Sequence, residues 1–386
     1  MKKNIMLIIG QLRNGGAERS ITNLANKLQK KYNVIIVTNS ITNEDYQCDT
    51  KIIKIDELRS SKPIKKLKGI LKLRKLKKIH NIDVSISYTT MHNFYNVLSK
   101  YKDKTITSIR NHISTKKEGI VCDIVHFISN ILCNKIVCCS MSVADDEIKT
   151  YKADSKKIII IPNFCNEEEI NTGMNIPLTD EEQIKINDKT IISMARLTKH
   201  KGHEHIIKAM SLVVKEEPQA RLLIFGRGEE KESLKKIIKK HNLENNVFFM
   251  YFHRNPYKFL KVAKVFVLAS DYEGFPNALI EAMSCGTPII STDSPGGSKE
   301  ILSDKLKINT YTLKLKESEY GILIPSFINE HGKEEITDNE IILKEAILKI
   351  IKNKKTYEYY HKKSLDRIQK YHSTKIIKKW LNIINE

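Results

Sequence analysis

Residues 270–291 read SDYEGFPNALIEAMSCGTPIIS, directly after the uninterrupted apolar run Val265–Leu268. Pro276 suits the first position of a helix, where its missing N–H costs nothing. Gly286 suits the residue just past a helix end. The stretch therefore predicts a strand, a loop, a helix Pro276–Cys285, and a further strand Pro288–Ser291. A helix that starts at a strand's carboxyl end turns its first amides, here Asn277, Ala278 and Leu279, towards a ligand. With the helix dipole behind them they favour a diphosphate. Glu273 precedes the helix and Glu281 lies on its second turn. Both are acceptors suited to sugar and ribose hydroxyls. An ordinary capped loop with solvated glutamates fits the same pattern.

The alternation extends in both directions. In the second half, Thr190–Met194, Arg221–Phe225 and Val247–Met250 are strand candidates, and His203–Val214 and Glu229–Lys240 are helix candidates. In the first half, Asn4–Ile9, Val34–Thr38, Ile82–Ser87, Thr105–Ile109, Ile136–Cys139 and Ile158–Ile161 repeat the theme, with a helix Ala17–Lys30 after Gly15-Gly16. Near-continuous Ile/Val runs separated by helices predict parallel sheets covered on both faces. Between Asn163 and Asp188 the chain turns polar and acidic, with Pro162, Gly173 and Pro177, which reads as an interdomain linker. Two such halves predict an α/β protein of two Rossmann-like domains whose parallel sheets face across a cleft, with ligands at the carboxyl ends of the strands. The last stretch, Thr356 to Glu386, is helical in pattern and apolar enough to dock on something.

Composition bounds the function. The chain has 386 residues, 41% of them hydrophobic, which suits two packed cores and excludes a disordered or collagenous chain. No run approaches the ~18 uncharged apolar residues of a membrane span. The longest apolar window, Gly119 to Ala144, is interrupted by Asp123 and Lys135. The start, MKKNIMLIIG, has too short an apolar stretch for a signal peptide and reads as a first strand. Seven cysteines without a C-x-x-C pair fit buried thiols in a reducing compartment, not a disulfide or zinc scaffold. The net charge of +21 fits either phosphate-bearing partners or compositional bias. It is densest between Glu57 and Asp83, where Lys62, Lys65, Lys66, Lys68, Lys72, Arg74, Lys75, Lys77 and Lys78 are interleaved with Ile64, Leu67, Ile70, Leu71, Leu73, Leu76 and Ile79. That pattern is a basic amphipathic helix, suited to an anionic membrane surface or to ordinary packing by its leucines.

Two further junctions carry chemistry. RLTKHKG, residues 196–202, puts Arg196 and Lys201 at a strand end, where a phosphate clamp or a solvated pair of cations would sit. Gly15-Gly16-Ala17-Glu18 lets backbone approach a ligand closely, or makes a tight turn into a helix. Neither G-x-G-x-x-G nor the P-loop pattern is present.

These segments together carry a resemblance. Glu273 and Glu281 form an E-x7-E run within EGFPNALIEAMSCGTPII, which resembles the signature of retaining GT-B glycosyltransferases of family 4. GGAE at 15–18, IIIIPNF at 158–164, ARLTKHKG at 195–202, LLIFGRGEE at 222–230, DSPGGSKEIL at 293–302 and YGILIP at 320–325 are similar to that family's motifs and stand in its order. The resemblance implies an N-terminal acceptor-side domain at 1–165, a nucleotide-sugar-binding domain at 166–358, and a C-terminal helix at 359–386 crossing back to the first domain. It implies that Arg196 and Lys201 hold the donor diphosphate, that Glu281 accepts from the ribose, and that Glu273 accepts from the donor sugar and stabilises charge at the anomeric carbon. The backbone of Gly274, Phe275, Pro276, Asn277, Ala278 and Leu279 would line sugar and diphosphate. Gly15 and Gly16 would approach the diphosphate, and Phe252 and Arg254 would flank the nucleobase. The family transfers a hexose or N-acetylhexosamine from a nucleotide diphosphate sugar, here expected to be UDP-linked, to a lipid-linked or cell-surface saccharide acceptor. No cofactor and no metal are implied, since no D-x-D motif is present. The implied place is cytoplasmic, on the inner face of the membrane.

The sequence departs from the family in two places. Where many members carry a His near the donor sugar it reads SIRNHIS, so Arg110, Asn111 and His112 are all candidates. Tyr251 stands where many relatives have Gly, and the stretch Ser303–Glu319 is longer and more basic than usual, expected as a surface loop. A nucleotide-sugar epimerase on the same architecture is the alternative enzyme reading. A specific nucleic-acid partner is not expected, since no basic strand interleaved with aromatics appears.

Overall fold

The computed structural model describes residues 2–13, 15–43, 45–116, 119–305, 308 and 310–386. The chain forms two compact units, Met1–Phe164 with Ser373–Glu386, and Cys165–His372.

The first unit is built on seven strands: β1 (Asn4–Ile8), β2 (Asn33–Thr38), β3 (Lys51–Lys54), β4 (Val84–Tyr88), β5 (Lys104–Ile109), β6 (Lys135–Cys138) and β7 (Ile158–Ile160). They pair in parallel in the order β3-β2-β1-β4-β5-β6-β7. Burial on both faces explains the continuous apolar runs. In β1, Ile5 and Leu7 pack with Ile21 and Leu24 of helix α1 (Gly16–Leu28), while Met6 and Ile8 pack on the other face with Leu73, Ile82 and Tyr95. The edge strand β3, KIIK, was not anticipated, because two apolar residues between lysines give too short a pattern.

Helix α2 (Pro63–Ile79) is the basic segment. It differs from the expected picture in two ways. Leu73 is buried and Ile70 and Leu76 pack on the core, yet Ile64, Leu67, Leu71 and Ile79 are exposed, so apolar residues lie on both sides of the helix. Lys77, counted among the surface cations, is fully buried. Its Nζ lies 2.9 Å from Asp103 Oδ2 and 2.7 Å from Asn96 Oδ1, and Ser85 Oγ donates to the same carboxylate at 2.5 Å. A buried ammonium needs such a partner, and the geometry supplies one. Helix α3 (Thr90–Leu98) packs against both α2 and helix α4 (Ile120–Leu132). The inner face of α4 is fixed by His126, whose Nε2 is 2.8 Å from Glu147 Oε2 on helix α5 (Met141–Lys149). Its outer face is apolar and exposed: Ile120 and Val121 are 75% and 70% accessible, and Ile124, Phe127 and Ile131 follow at helical spacing.

The second unit opens where a linker was expected. Helices α6 (Glu167–Met174) and α7 (Asp180–Gln183) occupy that acidic stretch. Their polar residues are structural: Tyr257 OH donates to Glu169 Oε1 at 3.2 Å, Asn255 Nδ2 to Gly173 O at 2.9 Å, and Lys258 Nζ to Glu182 Oε2 at 2.6 Å. Glu182 also completes a capping box with Thr179. The unit's sheet comprises β8 (Thr190–Met194), β9 (Arg221–Phe225), β10 (Val247–Tyr251), β11 (Val265–Leu268), β12 (Ile289–Thr292), β13 (Lys316–Ser318) and β14 (Gly321–Ile324). The order is β10-β9-β8-β11-β12-β14-β13, parallel except for β13 against β14. Helices α8 (His203–Glu216), α9 (Lys231–Lys240), α10 (Tyr257–Val262), α11 (Asn277–Ser284), α12 (Ser298–Leu302), α13 (Asp338–Ile351) and α14 (Lys354–Ile368) complete it. Of the stretch expected as a basic surface loop, Lys316–Ser318 forms β13 and Thr312 N donates to Asp293 Oδ2 at 2.8 Å. Leu306, Lys307 and Asn309 lie outside the described residues.

The tail divides later than expected. Residues 359–372 stay with the second unit, because Ser364 Oγ donates to Thr287 O at 3.0 Å and Arg367 Nε to Ile301 O at 2.7 Å. Helix α15 (Ser373–Asn385) belongs to the first unit, where Trp380, Ile383 and Ile384 enter the core beside α1. Lys3 Nζ and Lys104 Nζ donate to its last carbonyls, Ile384 O and Ile383 O, each at 2.7 Å. Five of the seven cysteines are buried and none is disulfide-bonded. Among the described residues, no helix is long and apolar enough to cross a membrane.

Candidate functional site

In the second unit, two segments quoted above converge. The turn after β8 carries Arg196 and Lys201, and the loop after β11 carries Glu273. Lys201 Nζ lies 2.7 Å from Glu273 Oε1, with both side chains largely sheltered. Backbone contacts make this approach possible. Asp271 N donates to His200 O at 2.9 Å, and His200 stacks on Tyr272 with centroids 4.9 Å apart. Burial first, then the Lys201 charge, push His200 down to about 4, so it is a neutral ring here. Gly202 sits at φ +66 against Ala269 O, where a Cβ would come within 2.2 Å. Arg196 is exposed.

The loop before α11 is clamped from its far side by DSPGG. Glu273 N donates to Pro295 O at 2.9 Å and Gly297 N to Gly274 O at 3.0 Å. Gly296, at φ +120, would place a Cβ 1.7 Å from Glu273 O, so only glycine lets the two loops meet. Phe275 is buried and packs edge-on against Tyr371 at 5.2 Å, which anchors the loop. Helix α11 starts one residue later than expected: Pro276 is the residue before the first turn, with φ −71 and ψ 109. The amide of Leu279 turns back to Pro276 O at 3.2 Å, which removes it from the expected trio of open donors. Glu281 is buried on the next turn, and Gly286, at φ +77, follows the helix end as the sequence implied.

The expected base-flanking residues lie beyond β10. Phe252 and Arg254 are exposed, and the Arg227 guanidinium lies 5.9 Å from the Phe252 ring. Tyr251, standing where glycine is usual, adopts φ +56 beside a register shift in β10. A left-handed backbone of this kind is one that glycine adopts without strain. Tyr251 is held by Lys231, whose Nζ donates to its hydroxyl at 3.1 Å and lies 4.2 Å from its ring centroid. The hydroxyl pKa is lowered by that hydrogen bond and by the charge of Lys231.

In the first unit, Gly15 precedes α1 and Gly16 is its first residue. Arg110, Asn111 and His112 follow β5 but have different surroundings. Arg110 is buried: Nη2 donates to Tyr88 OH at 3.0 Å, Nη1 to Asn163 Oδ1 at 2.8 Å, and the guanidinium lies over the Tyr88 and Trp380 rings. It binds the unit together rather than presenting a charge. Asn111 is exposed. His112 is partly buried, with Nδ1 3.4 Å from Asp146 Oδ2, and burial lowers its pKa while that carboxylate opposes the shift. Sequence reasoning missed His92. It is buried beside Gly10, with Nδ1 2.9 Å from Thr89 Oγ1 and Nε2 3.0 Å from Asn39 Nδ2. Its only signal was a histidine in the first turn after a strand.

Comparisons with known proteins bear on the family and the fold. Residues 14–169 match the model for glycosyltransferase family 4, and residues 177–314 match that for glycosyl transferases group 1. An uncharacterized glycosyltransferase of Methanocaldococcus jannaschii is 33% identical over 240 residues, 61% of this chain and 59% of the relative, so the chain spans about three-fifths of that relative's length. The N-acetylgalactosamine-N,N'-diacetylbacillosaminyl-diphospho-undecaprenol 4-alpha-N-acetylgalactosaminyltransferase of Campylobacter jejuni is 26% identical over 384 residues, 96% of each chain. The crystal structure of Anabaena Alr3699/HepE in complex with UDP shares the fold, with a TM-score of 0.78 over 99% of both chains at 15% identity. Two parallel-dominated seven-stranded sheets, together with the matches to both family models, define a two-domain α/β glycosyltransferase. The chain belongs to the GT-B glycosyltransferases of group 1, family 4.

Proposed function

We propose that the protein is a retaining glycosyltransferase that moves a hexose or N-acetylhexosamine from a UDP-sugar to a lipid-linked or cell-surface polysaccharide acceptor. The observation that carries this reading is the 2.7 Å approach of Lys201 to Glu273 beside the start of α11. A cation, a carboxylate and helix amides gathered at one strand end suit a diphosphate joined to a sugar. Lys201 and Arg196 take the diphosphate, so that Glu273 is released from its ion pair to face the sugar. Glu281 accepts from the ribose. Gly15 and Gly16 give a second close backbone approach, and Phe252 and Arg254 flank the base. His112 and Asn111 remain candidates for the sugar, with buried Arg110 supporting the loop they stand on. The bond from the anomeric carbon to the leaving phosphate breaks as the acceptor oxygen adds on the same face. The acceptor proton passes to the leaving phosphate oxygen. Positioning and electrostatic stabilisation supply the rate, without a metal at the diphosphate.

The Campylobacter relative's name specifies a diphospho-undecaprenol acceptor, and the Anabaena structure holds UDP, which supports the choice of donor and acceptor class. The exposed lysines and leucines of α2, with the apolar outer face of α4, suit peripheral attachment to an anionic membrane on its cytoplasmic side. The test is a panel of UDP-, GDP- and ADP-sugars, followed by transfer to lipid-diphosphate acceptors. Lys201→Ala and Glu281→Ala are each expected to abolish donor hydrolysis and transfer. Full activity in either variant would remove that residue from the site.

A further inference from the structure

Within the second unit, five titratable side chains from four segments meet away from the Lys201–Glu273 pair. Glu204 and His205 open α8, His331 lies in the segment after β14, Asp271 follows β11, and Glu340 lies in the first turn of α13. Three of their atoms form a nearly equilateral triangle. His205 Nε2 is 3.2 Å from Glu204 Oε1, His331 Nδ1 is 3.2 Å from the same oxygen, and the two ring nitrogens are 3.3 Å apart.

The outward nitrogens fix how each ring is used. His205 Nδ1 is 2.7 Å from Glu340 Oε1, and His331 Nε2 is 2.7 Å from Asp271 Oδ2. A carboxylate only accepts, so those nitrogens carry the hydrogens. With both rings neutral, the lone pairs of His205 Nε2 and His331 Nδ1 face each other and a carboxylate oxygen that also accepts from Gly332 N at 2.9 Å; Asp271 and Glu204 raise the His331 pKa to about 9, so a proton is one occupant of this space. Three electron-rich atoms at this separation require a positive charge among them. A proton on one nitrogen relieves one or two sides of the triangle, whereas a metal ion relieves all three. A tetrahedral ion with bonds of about 2.0–2.1 Å has ligand–ligand edges of roughly 3.3–3.4 Å, which matches the triangle. Histidines whose second nitrogen is held by a carboxylate are the usual supporting arrangement for bound zinc. The supporting groups are themselves fixed: Glu340 Oε2 accepts from Thr337 N at 2.8 Å, and His205 stacks on Phe327 with centroids 4.3 Å apart.

We propose that Glu204, His205 and His331 bind one zinc-type divalent ion, with a fourth ligand taken from solvent, and that Glu340 and Asp271 are its supporting carboxylates. The ion fastens the segment after β14 to the start of α8. Through Asp271 it also bears on the loop that carries Tyr272 and Glu273. It is distinct from the donor diphosphate, for which no metal is invoked, and it stands whether or not the donor reading holds.

The test uses the full chain without an affinity tag, stripped with chelator and titrated with zinc and with cobalt. One equivalent is expected to bind. The cobalt form should show the visible bands of a four-coordinate nitrogen–oxygen site and lack a sulfur-to-cobalt charge-transfer band, which excludes the cysteines. His331→Ala should weaken zinc binding at least ~100-fold, and Glu340→Gln by about 10–100-fold. Zinc should raise the melting temperature of the native chain but not of His331→Ala. If His331→Ala fails to fold, Glu204→Gln provides the same comparison. Absence of stoichiometric binding, leaving a proton as the only occupant, or binding that survives both variants, overturns the proposal.

Discussion

Gly296 and His92 show how much a single position controls. At Gly296 a Cβ would fall 1.7 Å from the Glu273 carbonyl, and the backbone is left-handed. Gly296→Ala must therefore separate the loop carrying Glu273 from its clamp. We expect a loss of at least about 2 kcal/mol in stability by denaturant melting, together with weaker UDP-sugar binding by calorimetry. His92 makes the opposite kind of demand. Burial pushes it down to about 4 from an ordinary 6.5, so the folded state binds fewer protons than the unfolded chain between those values. Its contribution is fully present above pH 6.5 and is lost as the pH falls towards about 4. Melting curves across that window should show stability falling with acidification, and His92→Gln should flatten the slope. Lys201, Glu273 and Glu281 could be named from sequence because each stands at a fixed offset from a strand end. The pairing of Lys201 with Glu273 could not, since it depends on contacts between segments 72 residues apart. Lys77 was misjudged, and the burial of His92 went unread, for a related reason: burial of a polar side chain is decided by distant partners such as Asp103 and Asn39.

Helices and strands were legible wherever one apolar period governed them, as in β1, β8 and α8. They were obscured where hydrogen bonds and ion pairs took over, as in α6 and α7, whose stretch read as a linker yet has Glu182 and Glu169 tied down by Lys258 and Tyr257, and the Gly173 carbonyl by Asn255. Helix α2 was legible in extent but not in orientation. Its leucines and isoleucines lie on two sides, which periodicity cannot reduce to one buried face. The exposed sides of α2 and α4 make a specific expectation. Co-sedimentation with vesicles containing anionic lipid should fall for Ile124→Glu with Phe127→Glu, and for Lys65→Glu with Lys68→Glu. Neutral vesicles should show little binding from the outset. Unchanged sedimentation in both double variants would remove these faces as the membrane contact.

The whole chain carries a net charge of +21, the excess left after every Asp and Glu is counted, so its ion pairs fix where individual lysines sit without lowering that total. Lys258 meets Glu182, Lys189 meets Glu217, Lys344 meets Glu216, and Lys77 is sealed against Asp103. The two units differ in continuity, with one consequence for dissection. Residues 165–372 form an unbroken unit and should melt cooperatively when expressed alone. Residues 1–164 alone lack Trp380, Ile383 and Ile384 from their core, and should do so only when a peptide spanning 373–386 is supplied. Circular dichroism melts of the fragments check both expectations.

That same interruption sets a timetable during synthesis. The ribosome delivers the first sheet early but the helix that seals it, α15, only after the entire second unit has emerged. The N-terminal half must therefore wait with one face of its core open while the C-terminal half, begun later, is completed first. Protease treatment of nascent chains arrested shortly after α15 leaves the exit tunnel should find both halves resistant. Chains arrested with His372 newly exposed should keep only the second.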